Sequence, residues 1–402
     1  MQNRILIVGS AKPTTGFGRV IRSLADSLGD TYDIHVLGYD VFEAMQTERW
    51  TLHPGKKVDV FGLGQLGALH DCLRADLTLF VNDYWFVNAF LASLKRCRYR
   101  GKRAAYVPVD ARLLDVRVLD PLQELDGLAV YTDFARRILF DSYRAEGKEV
   151  PAILSHIHVI PHGTSTEMFH PLLSWDASSI AEINRRKARK ALLGTEQGVD
   201  GFWVLNANKN SLRKRLDRTM AGFALFAHNK PPDVRLYIHA GRQDTGYDLQ
   251  RLARNLNLGE RLITSADTYL HPEVAAEKLN LIFNACDVGI NTAVGEGWGL
   301  VAFEHAATGA AQVVPRHSAF AELWSDAAVF MEPEAPIRFG GFLEGHEVSP
   351  TEVAAALEKL YTDQNYLARM SQAAYTNATR PEWSWTRVAL QWDHFFRTLL
   401  AE

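Results

Sequence analysis

The 402-residue chain is 47% hydrophobic and 23% charged, with a formal net charge of −3 at pH 7. That is enough apolar material for two or three cored domains, and too even a charge balance for a global field that recruits nucleic acid or an anionic membrane. Three cysteines, Cys72, Cys97 and Cys286, with no C-x-x-C spacing among them, argue against a disulfide framework or a zinc site and fit a reducing cytoplasm.

The N-terminal MQNRILIVGSAKP has an apolar run of about five residues, short for a signal-peptide core. RILIVG reads better as a first β-strand. DIHVLGY, LTLFVND, RAAYVPVD, GLAVYT and IHVIPHG follow as short β-rich runs, between helical patterns such as GRVIRSLADSL and DFARRILFDSYRA. That alternation predicts βαβ units and parallel sheet.

Residues 161 to 200 interrupt the series with Pro161, Pro171, a Ser/Asp-rich piece and the charged run EINRRKARK, whose RRKARK part reads as a solvated helix face. A second series begins at GFWVLNAN and runs through VRLYIHAG, RLITSA, DVGINTA, AQVVPR and AAVFME, again with helical stretches between. The expected fold is therefore α/β, with two doubly wound Rossmann-like domains whose cleft is the default site. The tail places Trp385, Val388, Ala389, Trp392 and Phe396 at helical spacing, which predicts a packing helix. No uncharged apolar run reaches the roughly 18 residues of a membrane span.

Three glycine clusters are candidate ligand loops. Gly62, Gly64 and Gly67 form a G-x-G-x-x-G after the strand-like VDVF, but a dinucleotide fingerprint joins the first strand of a domain to its first helix, and here the first strand is RILIVG. A plain loop into a helix fits better. Gly16 and Gly18 do follow that first strand and open a helix, where backbone can approach an anion closely.

The third cluster is GEGWGLVAFEHAATGA, residues 295 to 310, between the buried strand DVGI and a helical run. If the helix begins near Trp298, the N–H groups of Gly297, Trp298, Gly299 and Leu300 face a ligand with the positive end of the helix dipole behind them. Glu296 and Glu304 are separated by eight residues, or roughly 12 Å of helix. That separation suits one carboxylate on a hexose, the other on a ribose diol, and a diphosphate between.

At these residues the sequence resembles the family 4 retaining glycosyltransferases of the GT-B fold. Glu296-Gly-Trp-Gly-Leu-Val-Ala-Phe-Glu304-His-Ala-Ala-Thr-Gly309 is similar to that family's signature of two glutamates with seven residues between. In matching order, Tyr131-Thr-Asp-Phe-Ala-Arg-Arg resembles its segment after the fifth strand, and Val159-Ile-Pro-His-Gly163 with Glu167 and Phe169 its crossover between domains. Ala285-Cys-Asp287-Val resembles the strand before the glutamate loop, and Trp383-Ser-Trp385 the start of its last helix. The resemblance implies a first domain at 1–165 on the acceptor side, a donor domain at 166–382, and a C-terminal helix, 383–402, crossing back to the first.

Carried over residue by residue, Glu304 binds the ribose, and Glu296 with Gly297 to Leu300 binds the donor sugar and phosphates. Lys214 stands for the lysine of the family's K-G pair, which serves the diphosphate together with an arginine. That arginine is missing from its usual place, and Lys209 or Arg213 substitutes. The family's first-domain histidine is replaced by Asp110, which either contacts sugar or caps a helix. Asp83, Tyr84 and Trp85 either line the acceptor side or pack in the core.

The resulting expectation is a retaining glycosyltransferase with Glu296, Lys214 and Asp110 at the reaction centre. It would use a UDP- or GDP-linked sugar as co-substrate, with no cofactor and, for want of a D-x-D triplet, no metal. The acceptor would be a glycan, lipid-linked sugar, small molecule, protein or modified nucleic acid, and the location cytoplasmic or peripheral to a membrane. Rival readings are an epimerase or hydrolase on the same fold, a non-catalytic sugar-nucleotide sensor, and a dinucleotide oxidoreductase using 62–67.

Overall fold

The computed structural model describes residues 2–173, 180–265 and 267–401; the Ser/Asp-rich piece at 174–179 lies outside them. Two compact units are present, one formed by residues 1–163 with 381–402 and the other by 164–380.

The first unit alternates strands and helices from its start. Its strands are β1 (Arg4–Gly9), β2 (Asp33–Gly38), β3 (Met45–Gln46), β4 (Trp50–Pro54), β5 (Leu77–Val81), β6 (Lys102–Val107), β7 (Arg112–Leu113), β8 (Gly127–Val130) and β9 (His158–Val159). Eight of them make one sheet in the order β3-β4-β2-β1-β5-β6-β8-β9, parallel except where β3 meets β4. Residues 5–8 of β1 and the whole of β5 are fully buried, as strands covered on both faces must be. The helices of this unit are α1 (Gly16–Leu28), α2 (Leu63–Leu73), α3 (Val87–Leu94), α4 (Asp133–Ala145) and α5 (Ala152–Ser155). The two-residue β3 and the strand β4 had no counterpart in the sequence reading, and VDVF is not a strand at all. Val58 is 92% exposed and Val60 66% exposed, in a turn closed by the Lys56–Asp59 bridge, and α2 simply begins after Gly62.

The second unit contains α6 (Ile180–Leu193), β10 (Trp203–Asn206), α7 (Leu216–Ala227), β11 (Arg235–Ile238), α8 (Leu249–Asn255), β12 (Leu262–Thr264), α9 (Ala276–Ala285), β13 (Val288–Ile290), α10 (Leu300–Ala306), β14 (Ala311–Pro315), α11 (Ser318–Leu323) and β15 (Val329–Met331). These strands form a parallel sheet ordered β12-β11-β10-β13-β14-β15. An antiparallel hairpin of β16 (Ala335–Phe339) and β17 (Leu343–Glu347) follows, then α12 (Pro350–Thr362) and α13 (Gln364–Ala378). One core, including Phe223, Met220, Leu236, Val288, Val313 and Leu357, fills the space between the sheet and α7 and α12.

The basic run of α6 departs from the solvated face expected of it. Arg186, Lys187 and Lys190 are exposed, but Arg185 and Arg189 are buried. Arg185 donates to the carbonyls of Asn284 and Gly309, and Arg189 donates to those of Ala285, Val199 and Gly201 and to Asp287. The two arginines tie α6 to the second core. Carbonyl and carboxylate partners make such burial tolerable.

The closing helix α14 (Trp385–Ala401) packs in the first unit, with Val388, Trp392, Phe395 and Phe396 fully buried and Tyr32 Oη donating to Asp393 at 2.7 Å. Among the described residues no helix is long and apolar enough to cross a membrane.

Candidate functional site

The site assembles in the second unit where the loops after β10, β13 and β14 leave neighbouring strands at the carboxyl edge of the sheet. Parallel register places Val204 opposite Val288, and Val288 opposite Ala311, so the loops 207–215, 291–299 and 316–318 emerge side by side. Such an edge is where open α/β sheets bind ligands.

Glu296 is the centre of this cluster and is only 5% exposed. Its carboxylate is ion-paired with Lys214 and lies 3.4 Å from Arg213 Nη1. Asn291 Nδ2 donates to Glu296 Oε1 at 3.0 Å, and the Glu296 main-chain N–H donates to Ser318 Oγ at 3.1 Å. Burial works to raise the carboxyl pKa, but the charges of Lys214 and Arg213 and the bonds from Lys214 and Asn291 outweigh it and hold it at about 2. Lys214 and Arg213 thus both face the carboxylate of Glu296.

The loop carrying the cations is itself held in an uncommon shape. Leu212–Lys214 is a 3-10 turn, and Arg215 follows at φ 49, a left-handed conformation that a non-glycine residue seldom adopts. Arg215 is braced there by Asp217 and Glu347. Thr292 Oγ1 lies within hydrogen-bonding distance of the Lys214 and Arg215 carbonyls. The family pattern has glycine after this lysine, and the left-handed backbone is the reason it suits that place.

Gly299 meets the same demand at the glutamate loop. It sits at φ 90, and an added Cβ would lie 2.4 Å from the Phe320 ring. α10 begins at Leu300, two residues later than Trp298, so the spacer between the glutamates is a loop followed by one helical turn. With seven residues, α10 supplies only a short dipole. The better anion-binding feature is a set of main-chain donors: the N–H groups of Gly297, Gly299 and Leu300 have no protein acceptor among the described residues. The Trp298 ring turns away into the core, 3% exposed and stacked on Phe303 at 5.1 Å, so only its backbone remains as a donor-side group. Glu304 is also buried, at 4% exposed, one helical turn into α10.

Of the two substitutes for the missing family arginine, Arg213 joins Lys214 at Glu296. Lys209 instead pairs with Asp244 at 3.6 Å, its side chain 59% exposed. Asn291 and Ser318 also belong to the cluster, although no motif assigns either of them a role. Ser318 lies 22 residues beyond Glu296 and meets it only because β13 and β14 are neighbours.

The remaining candidates lie in the first unit. Gly18 is required by close packing, since an added Cβ would lie 1.9 Å from the Lys12 carbonyl oxygen. Its N–H is already taken by the Thr15 cap of α1, which removes it as an anion donor. Gly16 is the first residue of that helix. Asp83 and Asp110 follow β5 and β6 at the carboxyl edge. Burial first, then the charges of both aspartates, raises the phenols of Tyr84 and Tyr131, so the four groups share one neighbourhood. Tyr84 is a core residue at 1% exposed, whereas Trp85 is 38% exposed. Asp110 does not stand at a helix start; Asp115 caps the next helix along the chain, the 3-10 helix at Val116–Glu124.

Residues 197–377 match the family of glycosyl transferases group 1. The matched segment, a little under half of the chain, contains the whole Glu296 cluster. Among similar proteins, D-inositol 3-phosphate glycosyltransferase of Stackebrandtia nassauensis is 29% identical over 65% of this chain and 52% of that protein. Mannosylfructose-phosphate synthase of Agrobacterium fabrum is 24% identical over 59% and 46%. The chain thus spans about half the length of these relatives. Sucrose-phosphate synthase of Thermosynechococcus elongatus superposes with a TM-score of 0.73 at 15% identity, covering 100% of both chains. Anabaena HepE, solved in complex with UDP and glucose, gives 0.69 at 14% identity over 99% of this chain and 100% of that one. At such identities the likeness is one of fold: two Rossmann-like units, as in the GT-B class.

Proposed function

We propose that this protein transfers a sugar from a nucleoside diphosphate sugar to an acceptor hydroxyl, with retention at the anomeric carbon and without a metal. The observation that carries the reading is the buried Glu296 ion-paired with Lys214 and flanked by Arg213, beside main-chain donors without a protein acceptor. A diphosphate brings negative charge to a place where two cations face one carboxylate. It would draw Lys214 and Arg213 toward its own oxygens and free Glu296 for the hydroxyls of the sugar.

In the reaction the bond between the anomeric carbon and the diphosphate oxygen breaks while the acceptor oxygen bonds to that carbon from the same face. The departing phosphate oxygen takes the acceptor proton. Lys214, Arg213 and the N–H groups of Gly297, Gly299 and Leu300 stabilise the charge that develops on the leaving group, the role a divalent ion plays at other sites. Glu296 positions the sugar, and Glu304 accepts from the ribose diol. The relatives that carry glycosyltransferase and synthase names, and the neighbour solved with UDP and glucose, support the substrate class.

The test is product formation from a panel of UDP- and GDP-sugars with pooled acceptors, read by mass spectrometry. Lys214→Ala and Glu296→Gln are each expected to lower turnover by about 10²- to 10³-fold, the usual cost of losing one preorganised charged partner. Full activity in both variants would refute the assignment. Donor consumption with no glycosylated product in any pool would instead indicate a hydrolase or epimerase.

A further inference from the structure

We infer that His317 is a sugar-contacting residue of the donor site, its Nε2–H donating to a hydroxyl oxygen of the transferred sugar beside Glu296. The inference rests on the donor reading of the Glu296 cluster. It comes from a part of the chain that no motif singled out.

His317 stands in the loop after β14, which runs beside β13 and so delivers residues 316–318 next to the glutamate loop. Ser318 has φ 51, a left-handed conformation that costs a non-glycine residue free energy and persists only where neighbours enforce it. Two bonds do so. The Glu296 N–H donates to Ser318 Oγ at 3.1 Å, and the Ala319 N–H donates to the Glu296 carbonyl at 3.1 Å. The strained turn therefore locks His317 to the peptide of the residue at the centre of the site.

The same contacts accommodate one tautomer of the imidazole. Nδ1 of His317 lies 3.2 Å from Ser318 Oγ. Oγ accepts from the Glu296 N–H and has its own hydrogen to donate to Nδ1; in that tautomer the ring hydrogen is on Nε2. That Nε2 is buried, and it has no hydrogen-bond partner among the described residues. A buried ring nitrogen without a partner is costly and needs an explanation; a ligand hydroxyl arriving at Glu296 supplies one.

The surroundings keep the donor uncharged. His346 of β17 stands with its ring 5.9 Å away. Burial, then the His346 charge, pulls the His317 pKa down to about 4 against the opposing influence of Glu296 and of the His346 main chain. A neutral donor suits a sugar hydroxyl, whereas the cations Lys214 and Arg213 suit phosphate.

The two halves of the ligand therefore separate in a binding experiment. Titration calorimetry on the full chain compares UDP with UDP-glucose, UDP-galactose and UDP-N-acetylglucosamine, and GDP with GDP-mannose. The conjugate that wild type binds most tightly is then used on the variants. His317→Ala is expected to bind that conjugate about tenfold more weakly while its affinity for the bare nucleotide stays at the wild-type value. His317→Gln, which keeps an N–H of similar reach, recovers most of the loss, and it carries the comparison if the alanine variant melts early. Equal losses for nucleotide and conjugate, no loss at all, or a wild type that binds no conjugate more tightly than its nucleotide would each overturn the role of His317. A wild type that binds neither UDP nor GDP would instead overturn the donor reading beneath it.

Discussion

Glu296 gathers the chemistry of this chain into one ionisable group whose environment is legible atom by atom. Its folded pKa of about 2 lies below the ordinary 4.5, so the fold favours the ionised form. Stability from this group is fully present above about pH 4.5 and is lost as pH falls through about 2. The urea midpoint of the wild type is therefore expected to drop between pH 5 and pH 3, and that of Glu296→Gln to drop less over the same interval, measured by tryptophan fluorescence. The neighbouring residues teach a related lesson about glycine. Arg215 occupies a left-handed position by being clamped between Asp217 and Glu347, where an unclamped chain would use glycine. Gly299 has no such choice, because the Phe320 ring fills the space a side chain would need.

Among the elements, the hairpin of β16 and β17 does more than close the second unit. The His346 N–H donates to the Val294 carbonyl at 3.0 Å, so β17 hydrogen-bonds to the glutamate loop, and Glu347 braces both Arg215 of the basic loop and Arg218 of α7. Gly345 makes this approach possible, since an added Cβ would lie 1.9 Å from the Val294 carbonyl oxygen. Gly345→Ala is expected to cost about 1–3 kcal/mol, as overpacking does, in chemical denaturation. It should also weaken nucleotide-sugar binding in calorimetry, because the displaced strand takes the glutamate loop with it. The hairpin escapes a reading of the sequence: APIRF and LEGHE carry neither the long apolar run of a buried strand nor a clean alternation, and their pairing turns on two adjacent glycines, Gly340 and Gly341, both at positive φ. The tail helix is the opposite case. Its apolar spacing announces a packing face, and Val388, Ala389, Trp392 and Phe396 are buried, with Trp385 against Gly163.

For the whole molecule, the division into two units assigns ligand binding and folding cores separately. The Glu296 cluster and its three loops belong wholly to residues 164–380, with their own core. A nucleotide that binds this unit and not the unfolded chain stabilises it by about 2.7 kcal/mol at a hundredfold excess over Kd. Differential scanning calorimetry of the full chain with UDP or GDP is therefore expected to show a concentration-dependent upward shift of melting. A variant lacking the Lys214 charge, Lys214→Ala, should shift less at equal ligand concentration.

The sequence by itself determined the α/β alternation, two doubly wound series, a packing tail and the stretch that carries Glu296 and Glu304. These follow from local regularities: apolar runs of strand length, helical spacing, and glycines where a strand turns into a helix. Asp217, three residues on, sets the register by which Lys214 is read as the lysine of the basic loop, and the structure pairs that lysine with Glu296. Only the tertiary structure decided which cation joins Glu296, Arg213 and not Lys209, because ion pairing depends on where two loops, with Arg213 and Glu296 83 residues apart, emerge. It alone turned Arg185 and Arg189 inward, buried the Trp298 ring and Tyr84, and brought Asn291, Ser318 and His317 to the glutamate. Each of those outcomes depends on strand order and on the space left between packed side chains, quantities that no short stretch of residues contains.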